Sequence, residues 1–253
     1  MIKFFRKIRQ NMLTENKTGT YFKYAIGEIV LVVLGILIAL QVSNWNQLRL
    51  EQNTMNAYYA KLANTLEDDI KKLSEATDRL NSLGDELMRC LEILNTENEA
   101  DIEELKGKIG ALNVAYANDH SMELFDEFMN KGYLSKIEDP ELKSQFERVN
   151  IGLIRAENWD KVLDNDFVNN VSPFVQNNLN IVDIKTSFKG FDKKDTPKGG
   201  PKVDYTKLFN NLKAWNAIHG RLNYLRFTIG LNNMMQEALK ELKATLNKLG
   251  KLL

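Results

Sequence analysis

Residues 24–42 read Tyr24-Ala-Ile-Gly-Glu-Ile-Val-Leu-Val-Val-Leu-Gly-Ile-Leu-Ile-Ala-Leu-Gln-Val42. A helix that crosses a bilayer needs about 20 mostly apolar residues to cover a hydrocarbon core of roughly 30 Å. Ala25 to Val42 supplies eighteen, with Tyr21, Phe22 and Tyr24 at one end and Trp45 at the other, the pattern of an interfacial aromatic belt. The twelve Val, Ile and Leu residues of this stretch favour insertion by about 4 to 7 kcal/mol. The single charge, Glu28, opposes this by about 2.5 to 3.5 kcal/mol at most, and less near the end of the span, where it sits. Insertion therefore wins, and the segment is expected to be a transmembrane helix.

The flanking charges set an orientation. Lys3, Arg6, Lys7, Arg9, Lys17 and Lys23 precede the span, against Glu15 alone; Arg49 and Lys61 are the basic residues in the twenty or so that follow it. The positive-inside rule then places the N-terminus in the cytoplasm and the chain after residue 45 on the far side. The apolar run exceeds the usual 7–15 residues of a signal peptide and no small-x-small cleavage site follows it, which favours an uncleaved signal anchor. Residues 1–14, MIKFFRKIRQNMLT, place Met1, Phe4, Phe5, Ile8 and Met12 on one helical face and Lys3, Arg6, Lys7 and Arg9 elsewhere. Such a segment lies in the membrane interface with its basic side chains at anionic headgroups, or is a plain tail whose charges only set topology.

Gly35, Ala39 and Ser43 recur every four residues, and Glu28 lies seven before Gly35. Small residues at this spacing let a second helix approach closely. Two readings fit Glu28: a packed transmembrane interface with a donor for its carboxylate, or a lone helix whose Glu28 reaches the headgroups or is protonated.

The segment MIKFFRKIRQNMLTENKTGTYFKYAIGEIVLVVLGILIALQVSNWNQ resembles the N-terminus of a large bacterial family of single-pass, N-terminally anchored membrane proteins of unknown function. The shared run is the basic MIKFFRKIR start, YAIGEI, an aliphatic block and ALQVSNWN, about a fifth of the chain. Asn130 to Val149, NKGYLSKIEDPELKSQFERV, is similar to that family in the Gly132, Leu134 and Ile137 spacing, but has Lys131 where the family carries Ser or Thr. The resemblance implies localisation in the bacterial inner membrane, with the C-terminal domain periplasmic, and a helical fold. It carries no assigned activity and no functional residues.

The remaining chain is expected to be all-α. Pro is scarce, and Leu, Lys, Asn and Glu are common. The anchor continues from Asn46 as one long helix to about Leu94, with Met55, Tyr59, Leu62, Leu66, Ile70, Leu73, Leu80, Leu87, Leu91 and Leu94 in one stripe that Thr77 and Gly84 interrupt. Thr96 reads as the cap of a helix over 99–117. Ser121 opens a third helix that the Lys131-Gly132 pair ends. Asp139-Pro140 starts a fourth, running to about Asp164. Residues 165–183, Asn-rich around Pro173, read as one or two short helices. Residues 185–204 are a Gly-, Pro- and Lys-rich loop. A last long helix runs from Tyr205 to about Leu249, with Leu208, Leu212, Trp215, Ile218, Leu222, Leu225, Ile229, Met235, Leu239, Leu242 and Leu246 in its apolar register and Asn232 as a polar seam residue. Its length nearly matches that of the first external helix, which predicts that the two run antiparallel. The organisation is then a basic cytoplasmic segment over 1–20, a transmembrane helix over 21–45 and an extracytoplasmic antiparallel helical bundle over 46–253.

Equal numbers of acidic and basic residues, 34 of each, exclude a strong global field and give no sign of nucleic-acid binding. The single Cys90 rules out an intramolecular disulfide and falls in an apolar register. His120 and His219 lack the carboxylate three residues earlier that marks a di-metal bundle. The chain has no His-Glu-x-x-His, no cysteine pair, no phosphate loop and no Gly-x-Ser-x-Gly elbow. No catalytic, cofactor or metal residue is therefore named, and a non-enzyme is expected. The leading expectation is a membrane-anchored interaction or scaffold protein that binds itself or another envelope protein through Glu28, Gly35, Ala39, Ser43 and its external helices. The alternative is an extracytoplasmic ligand sensor that acts through a membrane partner.

Overall fold

A computed structural model describes residues 18–114, 121–184 and 199–250. The described residues are all-helical, with no strand among them. Two compact units divide the chain at Ala57/Tyr58.

Helix α1 runs from Thr18 to Thr96 without a break. No proline interrupts it, so no turn loses its backbone donor. In the first unit, Ile26 through Val42 expose their large apolar side chains. Among the described residues this is the one helix long and apolar enough to cross a membrane, and none of its most apolar window is buried in the protein.

In the second unit α1 carries the expected stripe: Tyr59, Leu62, Leu66, Leu73, Leu80, Leu87, Leu91 and Leu94 are buried. Thr77 and Gly84 belong to this stripe rather than interrupting it. Thr77 is buried, its hydroxyl donating to Leu73 O at 2.8 Å, and a Cβ on Gly84 would sit 3.5 Å from Leu225 Cδ2. The helix ends because Glu97 turns to φ 52°. Asn98, not Thr96, caps the next turn, accepting from Ala100 N at 3.1 Å, while the Thr96 hydroxyl donates back to Ile93 O.

The expected helix over 99–117 is shorter and composite. A 3₁₀ turn at Glu99–Asp101 leads into α2, Ile102–Lys108, and a second 3₁₀ turn covers Ile109–Asn113. Helix α3, Glu123–Asn130, ends as expected with Gly132 at φ 71°. Helix α4, Pro140–Asp166, starts on the Asp139 carboxylate, which accepts from Glu141 N at 2.9 Å. A π-turn, Phe167–Val171, joins α4 to helix α5, Ser172–Asn178. Pro173 explains it: a proline inside a continuous helical path has no N–H to donate and its ring crowds the carbonyl four residues back. The chain widens by one residue there, so that Ser172 N donates to Phe167 O.

Residues 185–198 of the expected loop lie outside the described residues; 199–204 carry no regular structure. The last helix, α6, spans Leu212–Gly250 and does not begin at Tyr205. Tyr205–Leu208 is a 3₁₀ turn, Asn210 adopts φ 53°, and the Asn211 side chain caps α6 by accepting from Lys213 N and Ala214 N. The late start corrects the register: Leu212 and Trp215 are exposed, while Ala214, Ile218, Leu222, Leu225, Met235, Leu239, Leu242 and Leu246 are buried.

Named contacts tie α6 to its neighbours. Toward α1, Lys243 pairs with Glu67, Asn232 Nδ2 donates to Thr77 Oγ1 at 3.3 Å, and Arg226 meets Met88 Sδ. Toward α4, Glu241 pairs with Arg148, Met235 covers Gly152, and Thr228 accepts from Trp159 Nε1 at 2.9 Å. One apolar core gathers Leu87, Ile93, Leu105, Ile109, Val175 and Leu225. An aromatic cluster adds Phe128 and Phe146, stacked at 4.7 Å, with Tyr58, Tyr59 and Tyr133 around them.

Candidate functional site

Glu28, Gly35, Ala39 and Ser43 all lie on the exposed part of α1. Their spacing of seven, four and four keeps them within one side of the helix. A Cβ at Gly35 would meet no atom within 4 Å. Lys3, Arg6, Lys7 and Arg9 lie outside the described residues, as does His120. His219 is exposed and shares a hydrogen bond of 3.1 Å with the Asn223 side chain.

A second exposed surface was not expected from sequence. Where α4 and α6 pack side by side, a groove is lined by Arg148, Ile151, Gly152, Arg155, Leu231, Met234 and Met235. Gly152 shapes its floor: a Cβ there would stand 2.6 Å from Met235 Cε, so a larger residue would make the end of that methionine side chain move aside. Ile151 is 49% exposed and Met234 62%. One to two turns further, Phe227 is exposed and packs on Trp159 at 4.2 Å between ring centroids. Phe227, Leu231 and Met234 are spaced i, i+4, i+7, a readable second stripe beside the buried one. A large exposed apolar strip edged by charge is the usual mark of a contact surface.

The same unit buries one charged pair. Arg221 is 1% exposed and belongs to the face of Ile218 and Leu225. Its Nη2 donates to Val114 O at 2.8 Å, its guanidinium lies 5.6 Å from the Phe167 ring, and its Nη1 stands 3.7 Å from Asp166 Oδ2. Asp166 closes α4, and its other oxygen accepts from Asn170 Nδ2 at 2.9 Å across the π-turn. Arg221 thus ties together α6, the π-turn and the segment after α2. A cation at i+3 and i−4 from two apolar residues is the trace it leaves in the sequence.

Other polar groups sit nearer the surface. The Tyr58 hydroxyl donates to Glu127 at 2.7 Å and Lys131 pairs with the same carboxylate, which Lys131 first and Tyr58 second hold below the usual carboxylate range. Arg89 grips Glu104 with two bonds of 3.0 and 2.8 Å and lowers its pKa. Beside α4 a shallow concavity gathers Asp126, Glu157 and Asp160; burial, then the nearby Asp164, pushes Asp160 up to about 6. No group of three or more His, Cys, Asp or Glu among the described residues is arranged to hold a metal ion.

No protein-family model, no curated protein and no solved structure matches this chain.

Proposed function

We propose that this chain is a membrane-anchored helical interaction protein of the bacterial envelope. Residues 25–42 anchor it in the inner membrane with the N-terminus cytoplasmic, and the second unit stands in the periplasm as an antiparallel helical bundle. The single observation that carries the reading is the distribution of exposed apolar surface. It is continuous along the first part of α1, and in the second unit it includes Ile151 and Met234 of the α4–α6 groove besides separate residues such as Val168 and Leu212. Lipid satisfies the first and a protein surface the second.

The bundle is supported by the order of the pairs. Glu67–Lys243, Thr77–Asn232 and Met88–Arg226 rise along α1 while they fall along α6. The orientation is supported by the excess of Lys and Arg before the span. The resemblance to the bacterial single-pass family agrees with both. Within the membrane, the Gly35, Ala39 and Ser43 side of α1 offers a close-packing face.

The test is native mass spectrometry of the full chain released from its own membranes in mild detergent. A species heavier than the monomer, whether two copies or a complex with another protein, supports the reading. Monomer alone at every protein concentration contradicts it.

A further inference from the structure

We propose that the α4–α6 groove takes a helix of another protein, and that this helix carries one carboxylate in the middle of its apolar face, opposite Arg155. The inference deepens the proposed function and rests on it. The argument is charge complementarity, and it starts from a cation that the chain leaves unanswered. Arg155 is exposed and lines the groove together with Ile151, Leu231 and Met234. It makes no ion pair, hydrogen bond or ring contact among the described residues. The positions three and four away from it along α4 are Ile151, Gly152, Asn158 and Trp159, so neither adjoining turn offers a carboxylate. Across the groove, Leu231 and Met234 of α6 offer none either. Other cations of the two helices are answered at that spacing or across the groove: Arg148 by Glu241, Lys161 by Glu157 and Lys240 by Glu237.

The shape of the surroundings selects a helix. Ile151, Arg155, Asn158 and Val162 are exposed on α4, and their spacing of four, three and four keeps them in one row. Alongside, α6 exposes Phe227 and Met234 with Leu231 half-buried between them. The contacts of Met235 with Gly152 and of Phe227 with Trp159 hold the two rows side by side. From Ile151 to Val162 the strip runs about 16 Å, the length of three helical turns. A partner helix lying along it meets the strip with residues one turn apart. One apolar residue covers Ile151 and Met234, a carboxylate meets Arg155, and a second apolar residue covers Phe227. The guanidinium fork takes a carboxylate with two parallel bonds while its stem lies on apolar surface. A charge set inside an apolar contact chooses the partner more than it adds affinity. A membrane surface would call for a row of cations, whereas this strip sets Arg155 alone between apolar residues.

The test is a charge swap read at Met234. The full chain, with its methionine methyl groups isotope-labelled, is placed in nanodiscs of zwitterionic lipid for NMR. The Met234 signal is the one lost in Met234→Leu, and the signals of the buried Met55 and Met122 report that each variant is folded. The probe is a synthetic amphipathic helix of about four turns, with leucines along one face and one glutamate at the centre of that face. A second peptide carries lysine in place of the glutamate. The glutamate peptide should shift the Met234 signal and bind at least about tenfold more tightly than the lysine peptide. Arg155→Glu should reverse that preference, and Lys161→Glu, on another side of α4, should leave it unchanged. Equal binding of the two peptides, a preference that survives Arg155→Glu, or no shift of Met234 with either peptide overturns the proposal. A Met234 shift produced by anionic phospholipid vesicles and by neither peptide gives the strip to a lipid surface and also overturns it. A complex in native mass spectrometry without a peptide preference overturns this inference while leaving the interaction reading intact. Monomer alone there and no peptide binding here overturn both.

Discussion

Arg221 Nη1 stands 3.7 Å from Asp166 Oδ2, and both side chains are buried. The pair joins the first third of α6 to the last residue of α4, where the chain widens into the π-turn. Removing one member leaves the other as an uncompensated buried charge, which costs about 3–5 kcal/mol. Arg221→Met should therefore destabilise the second unit by about that much, and Arg221→Met with Asp166→Leu should recover most of the loss. Urea unfolding of the full chain in detergent, followed by circular dichroism, measures both.

Asp160 yields a pH dependence of definite sign. Burial raises its folded pKa from 3.8 to about 6, so the folded state binds this proton more tightly than the unfolded chain does. Its contribution to stability is complete below about pH 4 and is lost as the pH rises through 6. Asp160→Asn removes the ionisable group. The variant should melt higher than the native chain at pH 7.5 and close to it at pH 4. Equal melting shifts at both values would show that Asp160 is not buried as described.

Cys90 is fully buried, and burial pushes its thiol up to about 12. Thiolate is the reactive form. At pH 8 the folded chain should resist a maleimide for hours and react within minutes in denaturant. Mass spectrometry of the adduct reads this out.

Gly132 ends α3 at φ 71°, a left-handed conformation that a Cβ penalises by roughly 1–2 kcal/mol. No atom lies within 4 Å of where that Cβ would be, so strain rather than collision sets the cost. In urea unfolding, Gly132→Ala should lower stability by about 1–2 kcal/mol and Gly132→Asn by less.

Much of this architecture is legible in sequence because it depends on local rules. The unbroken course of α1 reflects the absence of proline and the 3–4 spacing of its leucines. Gly132 and the Asp139-Pro140 pair announce their helix ends for equally local reasons. Asn232 reads as a polar seam residue and is fully buried against Thr77. The misses depend on distant partners. Gly84 looks like a gap until Leu225 is known to fill the space beside it. Arg221 looks like a surface cation until Asp166, 55 positions earlier, is seen to approach it. The start of α6 is misread from sequence because Tyr205 and Leu208 fit a helical register, while Asn210 and Asn211 decide the backbone. The α4–α6 groove needs both helices in place, since Gly152 and Met235 define it only together.

The measurement that bears most directly on the central claim is alkaline carbonate extraction of membranes from cells that make the full chain. It is run beside a variant carrying Leu31→Glu, Leu34→Glu and Ile38→Glu, each change costing about 2–3 kcal/mol of insertion. The native chain should remain in the membrane pellet and the variant should be released to the supernatant. Release of the native chain at the same pH would contradict the reading of residues 25–42 as a membrane span, and with it the proposal of an anchored interaction protein.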